Sequence, residues 1–250
     1  MSGREVFSGI ATAFEFLTLF GRGRPVSARG LGASMRYFPV VGLACGLLLY
    51  ILYTLAGRFL PLAVVDVLLL AFLVIYSRGL HLDGYTDTID AVAGGGDRER
   101  ILEILRDSHT GALGVVGVVL LLLAKYVSIA SVPASAKPTV LICMPLAAYW
   151  AMPLISLFQR YARSGQGTGR PFVEYVRVRD VLVATGVTVG LSALLLGMAA
   201  IPLLASTFVF VLLFGEYFRA KIGGVTGDVI GAAKELDELV FLVTALVVFR

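Results

Sequence analysis

Leu62-Ala-Val-Val-Asp-Val-Leu-Leu-Leu-Ala-Phe-Leu-Val-Ile-Tyr-Ser77 is apolar almost throughout, and one arginine later Gly79-Leu-His-Leu-Asp-Gly-Tyr-Thr-Asp-Thr-Ile-Asp90 sets carboxylates at Asp83, Asp87 and Asp90. The first half is long enough to enter a membrane as a helix. The second half, read as a helix, brings the three carboxylates to one face, because residues four and then three apart are neighbours on its surface. Three acids on a helix entering water would ordinarily be a solvated polar face. Here no basic residue lies between Asp83 and Asp90 to neutralise them, and the apolar run ends just before. Repulsion in such a cluster is relieved by a cation, and Mg²⁺ carrying a substrate phosphate is the usual one. Gly84, beside Asp83, would let a bulky ligand approach the backbone.

The rest of the chain agrees with a membrane setting. It has 250 residues, 58% hydrophobic and 15% charged, with a mean hydropathy of +0.89, far more apolar surface than one soluble core requires. Apolar spans are predicted at 38–56, 62–77, 112–132, 139–158, 181–198, 201–214 and 237–249. The last two are short for a hydrocarbon core of about 30 Å and must extend into flanking polar residues, tilt, or enter partway. The expected fold is all-α, a polytopic membrane bundle of six or seven transmembrane helices, in one domain over residues 1–250. Residues 5–20 read as an interfacial or partly inserted amphipathic helix rather than a signal peptide, since Glu15 interrupts the apolar region and Gly-Arg-Gly-Arg follows. Cys45 and Cys143 lie within apolar runs and read as small buried hydrophobes.

Charge asymmetry gives a topology. Seventeen Lys and Arg fall in the N-terminal segment and in segments 78–111, 159–180 and 215–236, whereas Arg58, Lys137 and Arg250 fall on the other side. The basic excess predicts that the N-terminus and these loops face the cytoplasm of a prokaryotic plasma membrane. The net charge of +4 then reports topology, not affinity for nucleic acid.

Those same segments carry the remaining chemistry. Gly94-Gly-Gly96 ends one helix, and Asp97 can cap the next. Asp107 and Ser108 precede the third span, at the electropositive end of its helix; His109 reads as a satisfied interfacial histidine. Gly111, Gly114 and Gly117 read as small residues for helix packing. Lys125, within that span, calls for a buried partner or an anionic ligand. Arg160, Arg163 and Arg170, on a glycine-rich loop, suit phosphate. In Lys221-Ile-Gly-Gly-Val-Thr-Gly-Asp228, Thr226 and exposed backbone N–H groups could face a ligand beside Asp228.

Together these residues resemble the cobalamin synthase family, adenosylcobinamide-GDP ribazoletransferase. The resemblance rests on Gly79 to Asp90, on Arg98-Glu-Arg-Ile-Leu-Glu-Ile-Leu-Arg-Asp-Ser-His-Thr-Gly-Ala-Leu-Gly114, on Tyr161-Ala-Arg163, and on Gly223-Gly-Val-Thr-Gly-Asp-Val-Ile-Gly-Ala-Ala233. Phe16-Leu-Thr and Tyr37-Phe-Pro-Val-Val-Gly42 add to it. It implies transfer of the adenosylcobinamide-phosphoryl group from adenosylcobinamide-GDP to the 5′-hydroxyl of α-ribazole, or to α-ribazole 5′-phosphate, with Mg²⁺ as cofactor and GMP as product. Asp83, Asp87 and Asp90 would hold the metal, Asp107 or Asp228 would act as further ligand or base, and Arg163, Arg170, Lys125 and Thr226 would contact substrate. A homo-oligomer is left open. Two alternatives stand beside this: a CDP-alcohol phosphotransferase, whose Asp-x-x-Asp-Gly-x-x-Ala-Arg pattern is met only at Asp83-Gly84, and a secondary transporter, favoured by Lys125 and the short spans.

Overall fold

The computed structural model describes residues 3–21, 25–107, 109–165 and 167–250; Arg22, Arg24 and Ser108, to which expectations attach, lie outside these. Regular structure among the described residues is helical, apart from one backbone bridge between Tyr161 and Val225. The helices are α1 (Gly3–Leu17), α2 (Ala28–Ser34), α3 (Phe38–Ala56), α4 (Leu62–Tyr76), α5 (Leu80–Gly94), α6 (Arg98–Ile104), α7 (Ala112–Ser131), α8 (Lys137–Phe158), α9 (Arg170–Glu174), α10 (Val178–Leu196), α11 (Ala200–Ile222) and α12 (Gly227–Val248). Each predicted span coincides with one of α3, α4, α7, α8, α10, α11 and α12.

Among the described residues, four helical stretches are long and apolar enough to cross a membrane on their own, and the bent pair α4–α5 would make a fifth. One of the four, Val178–Ile222, is 45 residues long. At 1.5 Å per residue it would reach about 68 Å, more than twice the hydrocarbon thickness. It is in fact two helices, α10 and α11, broken at the turn Gly197–Ala199, and both pack on α8. The two short spans are resolved by extension: α11 starts at Ala200 and runs on to Ile222, and α12 begins at Gly227, ten residues before the predicted start. Its middle carries Lys234, Glu235, Asp237 and Glu238, all buried in the bundle.

The apolar body of α8 is 94% buried, against 28% for α7, so α8 forms the axis, with α3, α10, α11 and α12 around it. Outward faces carry Leu55, Val67, Leu120, Leu123, Leu182 and Leu213, all exposed. Such a continuous apolar exterior suits lipid and would be unstable in water. Helix α1 lies against this bundle, burying Ala13 and Leu17 while exposing Phe7, as an amphipathic interfacial helix should.

Ion pairs and hydrogen bonds distinguish the two ends. At one, Lys137 at the start of α8 meets buried Asp66 in the first turns of α4 at 2.7 Å. At the other, the Tyr76 hydroxyl donates to the Val41 carbonyl, and Leu19 N–H donates to the Tyr76 carbonyl. Buried Arg36 pairs with Asp180 at that same end. The segments that carry Asp83, Asp107, Arg163 and Asp228 gather there, whereas Lys125 lies within α7.

Candidate active site

Chain direction changes abruptly after α4. Arg78 (φ 56°) and Gly79 (φ 71°) both take left-handed backbone, and α5 leaves at 89° to α4. Helix α5 therefore leaves the line of α4 and turns toward α12 and α7. There it rests on the first turns of α12 and α7. The closest approach is at Gly84, where a Cβ would stand 2.9 Å from the Asp228 Cα and carbonyl oxygen. Only glycine allows this contact. A Gly84→Val variant is expected to separate α5 from α12 and lower turnover about tenfold or more while the helix content by circular dichroism stays native; unchanged turnover would show that this crossing does not position the site.

The crossing brings together residues far apart in sequence. Burial first, then the charges of Asp83, Asp228 and Asp90, push the Asp87 carboxyl up to about 6, with Arg163 pulling the other way. The four carboxylates thus share one electrostatic neighbourhood. Arg163 reaches Asp228 at 2.9 Å and the Leu105 carbonyl at 2.7 Å, while its Nε is buried without a partner. Thr226 caps α12 by accepting from Val229 N–H and donates its hydroxyl to Asp228 at 3.1 Å.

Asp90 differs from its neighbours. Its two oxygens accept from the Gly111 and Gly114 N–H groups, both at 2.7 Å, at the positive end of α7. A Cβ on either glycine would meet the Asp90 carboxylate closer than 2.5 Å. The glycine repeat expected to serve helix packing thus makes room for a carboxylate at two of its three positions, and only Gly117 packs on an apolar side chain, Ile89. Among the described residues no three His, Cys, Asp or Glu side chains stand close enough to hold one ion by themselves.

Asp107 lies two residues beyond Leu105. The His109 ring at 2.6 Å and its backbone N–H at 3.0 Å hold the Asp107 carboxyl below the usual carboxylate range. His109 is exposed, and its ring is partnered by Asp107. Arg170 pairs with Glu174 at 2.7 Å and bonds the Gly165 carbonyl, beside a surface hollow that also includes Thr168. Lys125 stands away from the α5 carboxylates. It is buried against Glu235 at 2.5 Å and Glu238 at 2.6 Å, with Lys234 bonded to the same two acids. Of the two readings its position allowed, the structure has the buried partner.

Two residues with evident roles escaped the sequence. Arg98 ties α6 to the ends of the neighbouring segments, donating to the Ile222 and Ala162 carbonyls at 2.9 and 2.7 Å; its motif carries the family resemblance but gives this side chain no role of its own. His81 is 1% exposed, and neither ring nitrogen has a partner. Nothing in the string Leu-His-Leu signals that.

Such a bundle, with carboxylates and an arginine gathered at one end of apolar helices, has the build of a multi-pass membrane protein with a polar site at that end. The profile described as cobalamin-5-phosphate synthase matches residues 9–246. The chain belongs to that family, whose members are transferases of cobalamin biosynthesis. Similar proteins named adenosylcobinamide-GDP ribazoletransferase include one from Geotalea daltonii, 39% identical over 218 residues and 87% of each chain. Those from Syntrophobacter fumaroxidans and Pseudomonas aeruginosa are each 36% identical, covering 96% of this chain and 98% of theirs. No solved structure matches.

Proposed function

We propose that this protein transfers the adenosylcobinamide-phosphoryl group from adenosylcobinamide-GDP to a ribose hydroxyl of α-ribazole or α-ribazole 5′-phosphate. The observation that carries the proposal is the α5–α12 crossing, which sets Asp83 and Asp87 beside Asp228 and Arg163. The acceptor hydroxyl attacks the phosphorus that bears the corrinoid, the phosphorus–oxygen bond to GMP breaks, and GMP leaves. Because the 5′ position of the phosphorylated acceptor is blocked, a hydroxyl available on both acceptors is a secondary one.

Asp228 is the group proposed to take the hydroxyl proton, with Thr226 and Arg163 holding one of its oxygens. The unpartnered Nε of Arg163 is a donor for a phosphate oxygen. Asp90, held by α7, keeps the last turn of α5 in place and retains lone pairs toward the other acids. Mg²⁺ fits this donor set: it takes one or two carboxylates and completes its shell with water and substrate phosphate, so Asp83 and Asp87 suffice where three converging ligands are absent. When bound there it supplies neutralisation of the pyrophosphate charge. Asp107, fixed as an exposed carboxylate, is assigned to the entrance. The charge asymmetry supports a cytoplasmic position for this end.

The two alternatives lose their support. The family match runs nearly end to end, against two residues of the CDP-alcohol pattern, and the lysine that favoured a transporter is already paired. Protein in lipid, given adenosylcobinamide-GDP and α-ribazole with Mg²⁺, is expected to release GMP stoichiometrically with corrinoid product, and a chelator should stop it until Mg²⁺ is restored. Absence of GMP release under these conditions, or turnover indifferent to chelator, overturns the reaction or the metal respectively.

A further inference from the structure

Beside Asp83 and Asp228 lies a cavity of about 160 Å³ between α1, α5, α8, α9 and α12. Its walls are largely apolar and include Phe16, Met152 and Phe172, the two phenylalanine rings being 4.5 Å apart. Pockets that take whole drug-sized ligands run to about 300–1,000 Å³, so this one admits a flat fragment and excludes a corrinoid. One wall is different. His81 borders the cavity, is 1% exposed, and has no hydrogen-bond partner at either ring nitrogen. Its ring meets Tyr149 edge-on at 5.5 Å, an apolar contact that satisfies neither nitrogen. Buried polar atoms without partners are rare and costly, so an imidazole left this way at the edge of a ready-made cavity has hydrogen-bonding capacity that a ligand atom can take up.

We propose that this cavity binds the aromatic base of the acceptor nucleoside, with His81 donating a hydrogen bond to the base's unsubstituted ring nitrogen. The inference rests on the reaction proposed above and names where its acceptor sits. Polar bookkeeping selects the base. Guanine, on the donor, presents several donors and acceptors around its rim, and entering an apolar cavity with one free imidazole would strand most of them. The dimethylbenzimidazole of α-ribazole has one nitrogen in the glycosidic bond, one free nitrogen, and otherwise only apolar edge. A base seated here leaves its ribose at the mouth, beside Asp83 and Asp228. His81 is thus a binding and specificity residue for the acceptor; proton transfer belongs to the carboxylates.

The test is a comparison of acceptors. Native protein in lipid is given α-ribazole or its indole isostere, in which a C–H replaces the free nitrogen, and GMP release is followed. A site built around one hydrogen bond should prefer α-ribazole by about 10–100-fold in kcat/KM. In His81→Phe that preference should vanish, the KM for α-ribazole rising at least tenfold while that for adenosylcobinamide-GDP stays within about twofold; His81→Asn, which restores an N–H, should recover part of the preference. Equal use of both acceptors by native protein overturns the inference without needing any variant to fold, and leaves the reaction standing. So does a His81→Phe loss that is the same for both acceptors, which marks a structural role. No GMP release from either acceptor by native protein overturns the reaction, and this assignment falls with it.

Discussion

Asp83→Asn is expected to lower GMP release by about 10²–10³-fold, the range for deleting one preorganised electrostatic contact to a reacting centre, without unfolding the protein. Asp83 is exposed at the mouth of the site, one turn before Asp87 on α5. Asparagine keeps its shape and a hydrogen-bonding oxygen but removes the charge. Stability should change little, since surface substitutions away from caps and buried partners usually stay within about 0.5 kcal/mol. The measurement is GMP release in lipid beside a thermal-unfolding midpoint in detergent. Near-native release from the variant would remove Asp83 from the metal set. A loss accompanied by a fall in unfolding midpoint would instead point to a structural role, of the kind the geometry gives Asp90.

This contrast between Asp83 and Asp90 is where sequence and structure part. The spacing of Asp83, Asp87 and Asp90 placed all three on one helix face, and α5 has them there. Sequence could not tell that one of the three is already engaged, because its donors are Gly111 and Gly114, more than 20 residues on. The glycine repeat was visible, but small residues pack helices and cradle carboxylates with the same signature. Hydropathy located the seven long helices to within a few residues at most ends, because a span's length is set by the bilayer. It failed at the start of α12, where four buried charged residues hide a helix from any hydropathy measure. The 89° corner at Arg78-Gly79 was also hidden: an apolar run followed by a polar helix reads equally well as one span leaving the membrane. Without that corner α5 could not lie over Asp228. His81 was the deepest omission, since an unsatisfied imidazole is defined by what surrounds it.

Buried charge in α12 leads to the other large effect. Lys125, Lys234, Glu235 and Glu238 form a closed set of two cations and two anions with contacts of 2.5–3.0 Å, each side chain no more than 8% exposed. The three on α12 lie about 10–17 Å along it from its start at Gly227, enclosed by the bundle, where an unpaired charge is expensive. The set joins α7 to α12, and those two helices support Asp90 and Asp228. Lys125→Met has nearly the volume of lysine and leaves two carboxylates sharing one ammonium. Removing one partner of such a buried set costs about 3–5 kcal/mol, which for a chain of this length lowers the unfolding midpoint on the order of 10 °C. Adding Glu235→Gln to Lys125→Met removes the surplus negative charge, so the double variant should be more stable than Lys125→Met alone, a coupling of at least about 1 kcal/mol between residues 110 positions apart. Thermal unfolding in detergent of the native, single and double variants reads this directly. Strictly additive losses would mean the two side chains do not interact in the membrane protein, and an unchanged midpoint for Lys125→Met would mean that the cluster does not hold α7 to α12. With the coupling present, Lys125 acts on the site through the helices it joins, and its replacement should lower the fraction of folded enzyme while the KM of the remainder for both substrates stays native.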